Sequence, residues 1–185
     1  MSSALLVMDV QRAIVDAVGA ESGYLARLRG AIEGARAAGI PVIYVVIGFR
    51  PGFPEVGAHN KPLAAIARAG LYVEGAPGTE IHPDIAPRPG DVVVTKRRAS
   101  AFSGSDLDVV LRSRGIESLV LAGIATSAVV LSTVCQANDL DFGLTVLSDG
   151  CLDLDPEVHR VLIERLFPQW ADVVTVDEWL NGRAG

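Results

Sequence analysis

Three segments of the chain carry residue types suited to acid–base chemistry and to the binding of an oxyanion. Asp9 follows five apolar residues, so its carboxylate is expected at the mouth of a buried strand, where partial dehydration tunes its pKa for general acid or base work. Lys96 ends a Val-rich segment, and the turn at 123–126 offers backbone N–H groups, at Ala125 and Thr126, for an oxyanion. From the residues alone, Asp9 as a helix N-cap, Lys96 as an ordinary lysine with its charge in water, and an ordinary strand-to-helix turn remain alternatives.

Short apolar runs alternate with amphipathic stretches, and this alternation predicts the elements that position those residues. Six runs have strand length, namely 4–10, 41–47, 91–95, 118–122, 144–147 and 173–176. Five stretches favour helix, namely 24–38, 61–69, 106–114, 128–139 and 156–166, and a short helix is expected at 177–180. The pattern predicts an α/β fold with a doubly wound parallel β-sheet of about six strands and helices on both faces. Ligands of such sheets bind at the carboxyl ends of the strands, so the three segments are expected to converge there.

Composition limits the class of protein. The 185 residues, half of them hydrophobic, fit one domain spanning 1–185. A net charge of -6 gives no field that attracts nucleic acid or an anionic membrane. The first apolar run is stopped by Asp9, too early for a signal peptide or membrane span, which predicts a cytoplasmic protein. Segment 48–60 is expected to be a loop over the site, and 75–90 a lid or a subunit contact.

Three motifs, taken together, resemble the isochorismatase-like hydrolases, the superfamily of nicotinamidases, N-carbamoylsarcosine amidase and the isochorismatases. They are LVMDVQ at 6–11, KRRASAF at 96–102 with SDL at 105–107, and VLAGIAT at 120–126 leading into ST at 132–133. The resemblance covers nearly the whole chain and implies a Rossmann-like three-layer fold. It also implies that Asp9 transfers protons and that Lys96 stabilises developing negative charge. Family members are commonly homo-oligomers, so a dimer or tetramer is expected.

The chain departs from this family pattern at the nucleophile. The resemblance places a cysteine three residues after Thr126, and that residue here is Val129. Cys135 lies six residues farther on and about 240° around the predicted helix, so it cannot take the same position. We expect Cys135 to be a buried or half-buried helix residue and Cys151 to be structural. The hydroxyls of Ser127, Ser132 and Thr133 are expected to cap or pack, because no motif places a histidine to activate them.

Seven residues are predicted to contact a small-molecule substrate. Arg50 would pair with a carboxylate, Phe49 and Phe102 would form apolar walls, and Val129 would shape an apolar pocket. The remaining three are Gln11, Ala125 and Thr126. No metal or other cofactor is expected, since neither the histidines nor the two cysteines have metal-ligand spacing.

Three functions are consistent with these residues. In the first, Asp9 protonates a vinyl ether and no thiol is needed. A neighbouring lysine lowers an aspartate's pKa and opposes the protonated acid, and a substrate carboxylate on Lys96 or Arg50 would offset this effect. In the second, Asp9 activates water against an amide or imide. In the third, the fold is catalytically retired and binds a small molecule or serves as a structural subunit.

Overall fold

A six-stranded sheet forms the centre of the structure, a computed structural model that describes residues 2–19 and 22–182. The strands are β1 (Ser3–Met8), β2 (Val42–Ile47), β3 (Val92–Lys96), β4 (Ser118–Ile124), β5 (Gly143–Leu152) and β6 (Asp172–Val174). Their spatial order is β3-β2-β1-β4-β5-β6, and all neighbouring pairs are parallel. The predicted doubly wound parallel sheet is therefore confirmed. Because β1 pairs with both β2 and β4, the strand order reverses there, and a crevice forms beyond the ends of β1 and β4.

Helices cover both faces of the sheet. They are α1 (Arg12–Val18), α2 (Ser22–Ala37), α3 (Lys61–Ala69), α4 (Leu107–Ser113), α5 (Leu131–Asp139), α6 (Pro156–Val161) and α7 (Val176–Asn181). A π-helical turn, Thr126–Val130, precedes α5. Side chains of β1 alternate between two cores: Leu6 and Met8 pack with residues of α4 and α5, whereas Leu5 and Val7 pack with residues of α2 and α7. This period of two buries both faces of the strand.

The segments that border the crevice have local reasons to end where they do. β1 ends at Met8 rather than at residue 10, because Asp9 adopts a left-handed backbone with φ of 56°. α3 begins where the Asn60 side chain accepts a hydrogen bond from the Leu63 N–H, and it ends at Gly70 with φ of 66°. α1 is an element that the sequence analysis did not predict.

Segment 75–90 lies against the start of α1 and is held there by backbone hydrogen bonds. The N–H groups of Arg12 and Ala13 donate to the carbonyls of Glu80 and Gly78, both at 3.0 Å. Gln11 also forms an isolated antiparallel bridge with Ile81. Over residues 2–19 and 22–182, every helix is too short or too polar to cross a membrane.

Candidate active site

Asp9 and Lys96 form a buried ion pair at the carboxyl edge of the sheet. Lys96 Nζ lies 2.9 Å from Asp9 Oδ2, with 1% and 8% of the two side chains exposed. Lys96 Nζ also donates to the Arg98 carbonyl at 2.9 Å. The alternatives left open by the sequence are wrong for both residues, because the N-cap of α1 is Gln11 and the Lys96 ammonium is not in water.

The Asp9 carboxyl has one engaged and one free oxygen. Oδ1 is buried and makes no hydrogen bond to any residue that the structure describes. Burial raises the pKa of Asp9, while the charge and hydrogen bond of Lys96 and the backbone at Ile47 act in the opposite direction. Oδ1 is thus available to a water molecule or a ligand, on a carboxyl with increased proton affinity.

A cavity of about 500 Å³ opens beside this ion pair. Asp9 and Lys96 are the charged members of its described lining, and Tyr72, Ser127 and Ser132 are the members with hydroxyl groups. The rest of the lining is apolar and comes from α1, α3, the strand ends and the turn before α5, namely Ile14, Ala17, Val18, Ile47, Pro62, Leu63, Ile66, Ala99, Ile124, Ala125, Ala128, Val129 and Leu154. A site of this size and character suits a small molecule with few polar groups.

The turn after β4 contributes two of the predicted residues to the cavity. Ala125 and the buried Val129 line it. Thr126 is buried behind the turn instead, and its hydroxyl lies 2.8 Å from His159 Nδ1 on α6. The Ser127 N–H donates to Asp153 Oδ2 at 2.6 Å, so these contacts from the β5–α6 region fix the turn. The Ile124–Ala125 peptide bond is cis.

Besides Thr126, four residues predicted to contact substrate have their side chains outside the lining of this cavity. Gln11 is buried and bonds the backbone of Ile47, as acceptor at 2.9 Å and donor at 3.0 Å, and donates to the Thr79 carbonyl at 2.7 Å. Its amide therefore joins β2 to segment 75–90 and is fully used in doing so.

The other three residues lie outside the lining for equally local reasons. The Arg50 guanidinium is 61% exposed and pairs with Glu55 at 2.5 Å, so it does not reach the cavity. Phe49 is buried against Phe53, and Phe102 packs against Phe142 in the core. Both rings therefore pack against other side chains of the protein and not against the cavity.

The cysteines lie away from the cavity. Cys135 is exposed on α5, contrary to the expectation of a buried or half-buried residue. Cys151 is buried in β5, and burial raises the pKa of its thiol to about 12. Its structural role agrees with the sequence analysis. Within the described part of the chain, no three His, Cys, Asp or Glu residues are grouped so that they could hold a metal ion.

Sequence reasoning missed two polar residues near the site. Tyr72 lies in the turn that follows α3, and the only signal for it is the helix-ending Gly70 two residues earlier. His159 meets Thr126 across 33 positions of sequence, a separation that no local motif reports. Burial lowers the pKa of His159, while the charge of Asp153 opposes this effect.

Comparison with known proteins identifies the family. Residues 3–178 match the family model described as the isochorismatase domain. The chain belongs to the isochorismatase family. The ureidoacrylate amidohydrolase RutB of Pseudomonas syringae pv. syringae is 34% identical over 177 residues, which cover 84% of this chain and 72% of that protein. The uncharacterized isochorismatase family protein YecD of Escherichia coli O157:H7 is 33% identical and covers 97% of this chain and 95% of its own length.

Solved structures of the isochorismatase family give the same fold. An isochorismatase family protein from Desulfovibrio vulgaris superimposes with a TM-score of 0.88 at 28% identity, covering 100% of this chain and 99% of its own. The N-carbamoylsarcosine amidase of Thermoplasma acidophilum superimposes with a TM-score of 0.76 at 28% identity, covering 96% and 98%. This member of the isochorismatase family is a hydrolase, as its named relatives are.

Proposed function

We propose that this hydrolase cleaves a C–N bond of a small, uncharged amide or ureide, with water activated by Asp9 in place of a cysteine nucleophile. The observation that carries the proposal is the free Oδ1 of Asp9, buried beside a largely apolar cavity with Lys96 on the other carboxylate oxygen. A general base needs this arrangement: proximity to the nucleophile and a proton affinity above that of an exposed carboxylate.

The side chains around the cavity argue against a covalent route. Val129 has no nucleophilic atom, Cys135 is exposed elsewhere on α5, and the buried Cys151 keeps its proton because its pKa is about 12. Ser127 and Ser132 line the cavity, but neither hydroxyl is hydrogen-bonded to a described base that could activate it.

The proposed reaction uses Asp9 twice. A water molecule bound to Oδ1 transfers a proton to the carboxylate as its oxygen attacks the substrate carbonyl. Lys96 and backbone N–H groups at Ala125 and Thr126 would stabilise the resulting oxyanion. Asp9 then donates the same proton to the leaving nitrogen, so that water is consumed and an acid and an amine are released. Burial makes the carboxylate more basic, and the charge of Lys96 acts in the opposite direction by favouring the ionised form.

Amide chemistry fits this cavity better than vinyl ether chemistry. The latter requires a protonated Asp9, which burial favours and the charge of Lys96 opposes. Arg50, the residue expected to offset that effect by binding a carboxylate, is exposed and paired with Glu55. Relatives named as an amidohydrolase and an amidase support the same choice.

A turnover screen tests the proposal. Wild type, Asp9→Asn and the control Asp16→Asn, an exposed carboxyl on α1, are incubated with one pool of small amides, ureides and imides and one of vinyl ethers that includes isochorismate, and products are read by mass spectrometry. We expect amide or ureide products from wild type and Asp16→Asn, and a loss of at least about 10²-fold in Asp9→Asn. Cys135→Ser and Cys151→Ser should keep the activity of wild type.

Two results would contradict the proposal. Turnover confined to the vinyl ethers would assign Asp9 the role of general acid. Silence of the wild type toward both pools, with the folded state verified by circular dichroism, would favour a catalytically retired fold that binds a small molecule or serves as a structural subunit.

A further inference from the structure

The chain has three tyrosines, and their hydroxyl groups have different surroundings. The Tyr24 hydroxyl donates to the Gly150 carbonyl at 3.2 Å, and the Tyr44 hydroxyl accepts from Arg36 Nη2 at 3.3 Å. The ring of Tyr72 is half-buried in the lining of the active-site cavity, and none of the residues described here hydrogen-bonds to its hydroxyl. A phenol that lines a cavity without a described hydrogen-bond partner is available to a ligand.

The backbone around Tyr72 is fixed by its neighbours. Tyr72 has a left-handed φ of 60°, a conformation that is rare for a bulky side chain and persists only where the surroundings impose it. Its carbonyl accepts from the Phe49 N–H, and the Glu74 N–H donates to the Phe49 carbonyl, both at 2.9 Å. These bonds join the turn after α3 to the chain leaving β2. The phenol is thereby held at the cavity by main-chain contacts on both sides of the residue.

The charged groups of the cavity act on this phenol. Burial, and next the negative charge of Asp9, raise the pKa of Tyr72. Among the described lining residues, Asp9 and Lys96 are the groups whose charge can change this pKa from within the cavity. With a pKa raised above 10.0, Tyr72 keeps its proton and remains a hydrogen-bond donor at neutral pH.

We propose that Tyr72 is a substrate-binding residue of this site, whose hydroxyl donates a hydrogen bond to the carbonyl oxygen of the uncharged amide or ureide and aligns its carbon with the water on Asp9 Oδ1. This inference rests on the proposed function and extends it by naming a further donor, a side-chain hydroxyl, to the substrate's carbonyl oxygen. It also predicts the substrate's outline: one hydrogen-bond acceptor directed to Tyr72 and an apolar body between α1 and α3, against Ile14, Val18 and Leu63.

The first test compares Tyr72→Phe with Tyr44→Phe, a matched loss of a hydroxyl that is bonded to Arg36 and lies outside the cavity lining. With the fastest uncharged amide from the turnover screen, Tyr72→Phe should lower kcat/KM by roughly three- to tenfold, the value of one neutral hydrogen bond. Tyr44→Phe should stay within about twofold, because it leaves the cavity intact. A Tyr72→Phe enzyme with unchanged kcat/KM would overturn the proposal.

The second test needs no turnover, so it separates failure of this inference from failure of the proposed function. The phenolate absorbance of Tyr72 is obtained as the difference between parent and Tyr72→Phe proteins during an alkaline titration. It is recorded in the wild-type and in the Asp9→Asn background. We expect the Tyr72 titration to move to lower pH in Asp9→Asn, because the negative charge that disfavours the phenolate is gone. The same titration curve in both backgrounds would place the hydroxyl outside the field of Asp9 and overturn the assignment.

Discussion

Burial raises the pKa of Asp9 and the charge of Lys96 lowers it. The titration of this carboxyl should be visible in the pH dependence of the protein's stability. Its pKa is raised from 3.8, so the native state holds the proton at pH values where the unfolded state has released it. The corresponding stability is fully present below the unfolded pKa and is lost as the pH rises through the folded pKa.

We therefore predict that the free energy of unfolding of wild type, minus that of Asp9→Asn, falls as the pH rises above 3.8 and then becomes constant. Urea unfolding curves of both proteins at a series of pH values measure this difference. A difference that grows with pH over the same range would mean that Lys96 dominates and that the folded pKa lies below the ordinary value.

Lys96 should lower the pKa of Asp9 and also stabilise the oxyanion formed in the proposed reaction. In Lys96→Met the carboxyl loses its neighbouring cation, so its pKa rises further and the acidic limb of the pH–kcat/KM profile moves to higher pH. We expect kcat/KM to fall by roughly 10- to 100-fold at neutral pH. Lys61→Met, at the exposed start of α3, changes the chain's other lysine and should leave the profile unchanged. An unshifted profile in Lys96→Met would show that the ion pair does not determine the pKa of the catalytic base.

At the scale of elements, the contact between β1 and β4 positions both Asp9 and the turn that carries Val129. Gly123 ends this contact with φ of 153°, and a Cβ there would lie 2.2 Å from the Met8 carbonyl oxygen. Because that atom belongs to the backbone of β1, no side-chain movement relieves the clash. The close approach of the two strands is possible only with glycine.

Gly123→Ala should therefore destabilise the protein by more than about 3 kcal/mol. Gly30→Ala, on an exposed face of α2 with no atom within 4 Å of the added Cβ, should instead stabilise it by up to about 1 kcal/mol. Thermal and urea unfolding of the two variants measure these changes. A loss below about 1 kcal/mol in Gly123→Ala would show that β1 and β4 can separate at little cost.

The elements were predictable from sequence to the extent that burial defined them. The buried apolar runs gave all six strands, and Asp9 and Lys96 at their ends were predicted as partners because parallel strands end at one edge of the sheet. α1 was missed because it has seven residues and no side-chain N-cap. Two side chains could not be placed from the sequence. Arg50 is directed away from the cavity by its ion pair with Glu55, five residues away. Tyr72 is directed by a left-handed turn, and neither feature leaves a periodic signal in the sequence.

At the scale of the whole molecule, the strand order brings residues that are distant in sequence together at one site. Residue 96 ends β3, whereas residues 9 and 125–129 follow β1 and β4, and the parallel order β3-β2-β1-β4 brings these strand ends to one edge of the sheet. Each crossover therefore contributes to the geometry of the candidate site. The dimer or tetramer and the cytoplasmic location expected from the sequence stay predictions.

The stability of the whole molecule in acid depends on Asp9, whose pKa is raised, and on other carboxyls whose pKa values are lowered. For Glu55, burial raises the pKa, but hydrogen bonds from the backbone and from Arg50 outweigh it and lower the pKa from 4.5. Backbone hydrogen bonds lower the pKa values of Glu80 and Glu178. Glu178 forms the capping box of α7 together with Thr175. These three groups contribute stability above pH 4.5 that is lost as the pH falls through their folded pKa values, whereas protonation of Asp9 favours the native state.

Because the contribution of Asp9 is constant below its ordinary pKa of 3.8, the three lowered carboxyls determine the trend there, and we predict that the wild-type protein loses stability on acidification below pH 3.8. Glu178→Gln should reduce the steepness of this loss, because the glutamine amide has no proton to gain while its oxygen can still accept the Thr175 hydrogen bonds. Glu157→Gln, on a side chain 81% exposed, provides the control and should leave the steepness unchanged. Urea unfolding of the three proteins at successive pH values measures the slopes. Equal slopes for wild type and Glu178→Gln would mean that the capping carboxylate is no better stabilised in the native state than in the unfolded chain, and that acid acts on this protein through other groups.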